Sequence, residues 1–457
     1  MKPVVVIGGG MAGLAAAYQL HTLNVPFVLL EARGRVGGVV LSEEIDGFTI
    51  DGGPDALLAQ KVEGVRLCEE LGLGPRLMPT KPPRLAYIQR GGRLYALPAA
   101  SVLGIPTAWG PFITTRLFSL AGKARMGAEL FVPKRRDAAD ESIGAFMTRR
   151  FGTEAATYLA EPLLAGIHAG DVNRLSVRAL FPRFVESEAQ HGSVLRAFRQ
   201  QAARPASSDG AFRSLPGGLS ELVRALVATL PEDSIRLRTQ VRRIRAAADG
   251  YTVDAAGGES YDASAVILAA PAFAAATIVR DLSPQLSQLC GEISYTSVAT
   301  VALAFKREQV AHPLNGSGFV VPQVEKTGIM AGSWLSSKWA NRAPEGRVLL
   351  RTFLGGARDP KAIERSDPEL VAMSIAALSP LLSISGAPIL TRVYRWERAN
   401  AQHEVGHLDR MARIDQTLEQ HPGLFVTGSA YRGVGIPDCV GDGRAVARLA
   451  ANRIPSP

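Results

Sequence analysis

Cysteine is nearly absent: Cys68, Cys290 and Cys439 are the only three in 457 residues. So widely spaced, they exclude a disulfide framework and a cysteine-based metal cluster, and they fit a reducing cytoplasm. Long apolar runs are lacking too. The two longest candidates, 263–279 and 370–390, are broken by proline, and the second also by serine and glycine, so neither resembles the roughly 20 apolar residues of a membrane-spanning helix. The first twenty residues imitate an export signal, but Gly8, Gly9, Gly10 and Gly13 interrupt them, and export is not expected. Also missing are a Ser-His-Asp set, paired carboxylates that must act as catalyst, and the interleaved aromatic and basic motif of an RNA-binding module. Nucleic acid is therefore not an expected partner. No internal repeat or long low-complexity tract is visible.

What is present suits an ordinary folded protein. Hydrophobic residues make up 47% and charged ones 20%, enough for substantial cores in two or three interlocked units. Lys and Arg number 51 against 42 Asp and Glu, a net charge of +9. Such an excess attracts nucleic acid, an anionic membrane or an acidic small molecule without choosing among them.

Residues 4–7 are a continuous apolar strand, 14–20 read as a helix and 27–30 are apolar again, a βαβ unit. Between strand and helix lies Gly8-Gly9-Gly10-Met11-Ala12-Gly13, read as G-x-G-x-x-G. The first glycine allows the tight turn, the second lets backbone approach a pyrophosphate, and the third lets helix and strand pack closely. The helix N-terminus then offers free N–H groups and a positive dipole to phosphates. Glu31, ending the second strand, stands where a carboxylate would grip ribose hydroxyls.

Further strands are predicted at 235–241, 251–253, 265–270 and 424–427, the last leading through a glycine-rich turn to a helix at about 443–453. The stretch 99–203 has helical periodicity without clear strand pairs, and 281–420 alternates β-branched segments with a helix near 368–382. Nucleotide-type strands thus fall at the start, middle and end, implying one cofactor domain assembled from separated segments. The best linker candidate is 199–214.

Beyond Glu31 the motif extends to E-x-R-x-R-x-G-G, with Ala32, Arg33, Arg35, Gly37, Gly38 and Val39, and then to the turn Asp51-Gly52-Gly53-Pro54-Asp55. This succession resembles the FAD-containing amine oxidase and protoporphyrinogen oxidase superfamily, whose Gly-Gly segment runs beside the pyrophosphate while the later turn approaches the flavin. The segment from Gly428 to Gly443 supports FAD, since glycines before a helix offer N–H groups to the electron-rich edge of a reduced flavin. The implied fold is α/β plus a helical insertion. It comprises a split Rossmann-like, glutathione-reductase-like FAD domain (1–55, 212–282, 421–457), a mixed-sheet substrate domain (56–98, 283–420) and an α-helical, membrane-contacting domain (99–203).

Several stretches are similar to porphyrinogen oxidases in particular: 161–171 followed by Leu175-Ser176, Leu215-Pro216-Gly217-Gly218, Gly318 to Pro322, Phe353-Leu354-Gly355-Gly356 and Val405-Gly406-His407. The resemblance covers almost the whole chain. It implies Val241 beside the adenine, Trp396 near the flavin, and Ser429, Val434, Gly435 and Ile436 around the isoalloxazine, with FAD held non-covalently because Cys439 matches a cysteine that is not an attachment point. It also implies that Arg84 binds a substrate propionate, a task suited to a guanidinium fork, and that Gly166, Ile167, Val320 and Phe353 line an apolar cavity. For each the plain alternative is a solvated arginine or core packing. Asp55 departs from the arginine some members carry there, and His168 and His403 stand where aromatic residues are common.

The activity so implied is oxidation of protoporphyrinogen IX to protoporphyrin IX in haem synthesis, by hydride loss from a bridging carbon to the flavin with O2 as acceptor. The alternatives are coproporphyrinogen III oxidation and, more distantly, an amine oxidase or carotenoid desaturase. No catalytic residue is assigned; His168 is a candidate base only because imidazole titrates near neutrality. Trp109, Phe112, Phe118 and Phe131 among Arg116, Lys123, Arg125, Lys134, Arg135 and Arg136 suggest peripheral contact of a cytoplasmic enzyme with an anionic membrane, or equally an amphipathic solvated domain. Hand-over of product to a chelatase completes the expected partners.

Overall fold

The computed structural model describes residues 2–98, 101–102, 104–137, 139–201 and 210–453. Half of the predicted linker, 202–209, lies outside them. Of the remainder, 199–201 end the helix Val194–Gln201 and 212–214 form a strand.

The glycine motif sits in a five-stranded parallel sheet. Its elements are β1 (Val4–Ile7), α1 (Met11–Thr22), β2 (Phe27–Leu30), β3 (Ile235–Arg236), β4 (Ala265–Leu268), β5 (Leu424–Val426) and α2 (Ile436–Ala451), in strand order β3-β2-β1-β4-β5. Both faces of β1 and β4 are covered, which is why they read as unbroken Val, Ile and Leu rather than alternating. The chain leaves β1 for β2 on one side while β4 lies on the other, so the end of β1 is a topological switch point, where α/β sheets bind ligands.

Helix α1 is rich in alanine, the best helix former, and buries Ala12, Ala15, Ala16 and Ala17. Those small side chains let α2 pack against it. A Cβ on Gly443 would stand 2.2 Å from the Ala12 carbonyl oxygen. The same glycine corrects the sequence reading of the last helix, which starts at Ile436 and not near 443. Gly441 and Gly443 depress local helix propensity, but the close crossing requires the second of them.

A seven-stranded sheet forms the second layer, in the order 390–401, 295–306, 347–355, 331–333, 318–320, 86–90, 93–96. Along the central strand, Val301, Leu303 and Phe305 face the helix Asp367–Leu382, while the smaller Ala302 and Ala304 face the hairpin 42–51 through Phe48 and Ile50. Residues 109–201 are largely helical, with a two-stranded turn at 101–106 that the sequence did not suggest. Their core gathers Phe146, Phe151, Phe184 and Phe198, and Phe112 and Phe118 belong to it at 2% and 4% exposure. That corrects their expected place on a membrane-facing surface: the two rings lie 6.2 Å apart and share the core with Ile105, Leu117 and Met126.

Candidate active site

Gly8, Gly10 and Gly13 have separable reasons to be glycine. Gly8 adopts φ +109° against the backbone of Ala269, and a Cβ on Gly13 would lie 1.9 Å from the Gly8 carbonyl oxygen. Gly10 is different: a Cβ there would meet nothing within 4 Å. The space over Gly10, at the start of α1, is the cradle a pyrophosphate requires. Beside it, the Glu31 carboxylate accepts the Gly9 N–H at 2.6 Å and the Arg33 N–H at 2.8 Å. Arg35 donates to the carbonyls of Val36, Gly38 and Val40 at 3.2, 2.7 and 3.1 Å, pinning the Gly37-Gly38 loop beside Gly10, whose Cα lies 3.3 Å from a Cβ built on Gly38. These residues fit a bound dinucleotide. Val241 opens a strand that packs with Val5, Ile7 and Leu30 on the other face of the sheet.

The turn 51–55 crosses this loop. A Cβ on Gly53 would collide with the Val39 carbonyl oxygen at 1.9 Å. From the seven-stranded sheet, Thr300 Oγ1 and Trp396 Nε1 donate to the Gly52 carbonyl at 2.7 and 2.8 Å, and Arg351 donates to the carbonyls of Asp51 and Gly53 at 2.5 and 2.7 Å. Asp55 does not project freely: it pairs with Lys338 at 2.6 Å and Arg351 at 2.7 Å and accepts the Trp339 indole N–H at 2.8 Å. Burial opposes its charge, but Lys338 and Arg351 outweigh burial and hold the carboxyl well below the usual range. Asp51, paired with Arg342 at 3.0 Å, is instead raised by burial.

Cross-strand register puts Tyr394, Thr300, Phe353, Ala331, Val320, Ile88 and Tyr95 in one row. Directly opposed residues share a face, so Val320 and Phe353 look out beside the residues that grip the turn. Facing them from the helical domain, Ala169 packs with Val298, Met330 and Phe353, and Gln402 holds the His168 carbonyl at 3.0 Å. Gly166 and Ile167 precede His168 in the same short turn, Ile167 at 66% exposure. Arg84 lies apart at the edge, exposed, its Nε on the Thr80 carbonyl at 3.0 Å.

The C-terminal segment completes the surround. Gly435 caps α2, and its N–H meets Asp438 at 3.1 Å, which also pairs with Lys61 at 2.6 Å. His403 and His407 stack with ring centroids 3.9 Å apart, and their Nε2 atoms lie 3.0 and 2.9 Å from the carbonyls of Ser429 and Tyr431. Carbonyls only accept, so both rings are Nε2–H donors. Burial, then the neighbouring His407, lowers His403 to about 3. Burial lowers His168 to about 4, with Lys61 adding to it, which leaves it neutral and a weak base. Cys439 is buried and its thiol is pushed up to about 12.

The arrangement brings together two glycine-rich segments, the 51–55 turn and an apolar wall from another domain. A family model for flavin containing amine oxidoreductases matches residues 11–451. The chain belongs to that family. FAD is accordingly its cofactor, and nothing points to covalent attachment. Over 97% of both chains it is 36% identical to a coproporphyrinogen III oxidase of Bacillus subtilis, and it is 30% identical to the mitochondrial protoporphyrinogen oxidase of Nicotiana tabacum, covering 100% of this chain and 96% of the relative. A solved structure from Exiguobacterium, provisionally described as a protoporphyrinogen oxidase, superposes with TM-score 0.86 at 32% identity over 98% of each chain. Reduced UDP-galactopyranose mutase, at 16% identity and TM-score 0.76, covers 100% of this chain and 97% of its own and shares the fold. The protein is an oxidoreductase of the porphyrinogen oxidase type.

Sequence reasoning missed Arg351, Lys338, Thr300 and Gln402, which carry no motif. Arg351 alone left a signal, as a charge inside the apolar strand Arg347–Gly355.

Proposed function

We propose that this flavoenzyme oxidises coproporphyrinogen III to coproporphyrin III with O2 as acceptor, and protoporphyrinogen IX less well. The observation that carries the reading is the meeting of the Val320 and Phe353 wall with the 51–55 turn through Thr300, Trp396 and Arg351. FAD, when bound, supplies the two-electron acceptance. The residues orient a flat macrocycle and exclude water: Phe353 offers a ring face, Gly166 a close approach, and the buried Asp55 cluster a rigid floor.

Two features favour coproporphyrinogen over protoporphyrinogen. The Bacillus subtilis relative carries that name, as does one from Staphylococcus aureus at 32% identity. In addition, Lys81 and Arg84 are exposed around the ribbon 57–58, 78–79 and 212–214, cations suited to carboxylates beyond the two that protoporphyrinogen carries. The test is anaerobic mixing with each porphyrinogen, followed by admission of O2. Flavin bleaching and a kcat/KM about tenfold higher for coproporphyrinogen support the reading; bleaching by neither refutes it.

Peripheral membrane contact is part of the proposal. Among the described residues no helix is long and apolar enough to cross a membrane. Yet Ile113, Leu120 and Phe131 are 64%, 84% and 87% exposed, close in sequence to the exposed Arg116, Lys134 and Arg136. Apolar anchors among cations suit an anionic bilayer surface.

A further inference from the structure

We propose that Arg351 is a positioning residue that transmits occupancy of the substrate pocket to the flavin-facing turn. The inference rests on the pocket assignment above and deepens it. Arg351 is 1% exposed, and its guanidinium makes three kinds of contact at once. Nη1 holds the Asp51 and Gly53 carbonyls at 2.5 and 2.7 Å, Nη2 holds Asp55 at 2.7 Å, and the guanidinium carbon lies 4.7 Å from the centre of the Phe353 ring. Arg351 and Phe353 are two residues apart on one strand and so share a face. The plane of the guanidinium therefore separates the aromatic wall from the turn, with no other side chain needed between them. Its Nε is buried and has no hydrogen-bond partner among the described residues, so both Nη groups hold the turn while the Nε edge is left free of polar contacts. A ring pressed by a flat ligand pushes on the guanidinium, and the guanidinium bears directly on the backbone at 51–55. Lysine could keep the charge opposite Asp55 but lacks the planar fork that binds two carbonyls and stacks on a ring.

Hydrogen exchange of the holoenzyme, read by mass spectrometry with and without coproporphyrin III, tests this. In the wild type the porphyrin slows exchange at residues 52–55 by about threefold or more. Phe353→Leu keeps the arginine's hydrogen bonds and removes the ring: it retains FAD and, with porphyrin raised until its fluorescence shows the weakened site saturated, loses the slowing at 52–55 while the response at 429–436 persists. Arg351→Lys speeds exchange at 52–55 even without porphyrin and abolishes the response; if that variant does not fold, Phe353→Leu decides alone. Wild-type slowing preserved in Phe353→Leu overturns the proposal, as does porphyrin that binds the wild type without slowing 52–55, and either leaves the substrate reading standing. Porphyrin that does not bind the wild type overturns both.

Discussion

Acid should weaken this protein through its buried histidines, and the structure sets the size of the effect. His403 has an ordinary value of 6.5 when unfolded and about 3 when folded, because burial and the stacked His407 disfavour the cation. Between those values the unfolded chain binds a proton that the native chain refuses. Stability is therefore complete above the unfolded value and drains away as pH falls towards the folded one. For one such histidine the loss from about pH 8 to about pH 5 is about 2 kcal/mol. His168, at about 4, contributes a similar amount, so the two remove about 4 kcal/mol from a total usually near 5–15 kcal/mol. Asp51 and Glu161 are raised by burial and work in the opposite sense, so the measurement is best made as a difference. Urea unfolding of the wild type and His403→Gln, followed by tryptophan fluorescence across that window, should show the variant losing about 2 kcal/mol less than the wild type on acidification. Glutamine still donates an N–H towards the Ser429 carbonyl, so the contrast isolates titration. Parallel curves for the two proteins would refute the reasoning.

Gly10→Ala should fold like the wild type, since its Cβ touches no protein atom, yet retain FAD about tenfold or more weakly by fluorescence titration because the methyl fills the phosphate cradle. Gly13→Ala, whose Cβ would lie 1.9 Å from the Gly8 carbonyl oxygen, should fail to give soluble holoenzyme in the same preparation. Arg84→Ala should raise KM for coproporphyrinogen about tenfold with little change in kcat, the pattern of lost uniform binding; an unchanged KM would return Arg84 to the solvated surface. Phe131→Asp combined with Leu120→Gln should abolish sedimentation with anionic vesicles while leaving turnover of dissolved substrate intact, and no vesicle binding by the wild type would remove the membrane contact from the proposal.

The local signals were legible because backbone geometry dictated them. Gly8, Gly10 and Gly13, Glu31, the Gly37-Gly38 loop and the 51–55 turn are motifs in which residue type follows from φ, close approach or dipole, so a short window is enough. The unbroken Val and Ile of the parallel strands, and their recurrence at the start, middle and end of the chain, announced a split domain for the same reason. What sequence could not place were the partners of those motifs. Asp55 is expected beside the flavin, and no short window could show that its carboxylate is held by Lys338, Arg351 and Trp339, between 283 and 296 positions away. Phe112 and Phe118 looked like membrane anchors and are core, while Ile113 and Leu120, which drew no notice, are exposed. The sequence by itself determined which turns are tight and glycine-lined, as a phosphate or flavin site requires, since that depends on local backbone freedom. Only the tertiary structure decided which charges are neutralised, which rings are buried and which wall faces the turn, because burial and ion pairing depend on residues hundreds of positions apart.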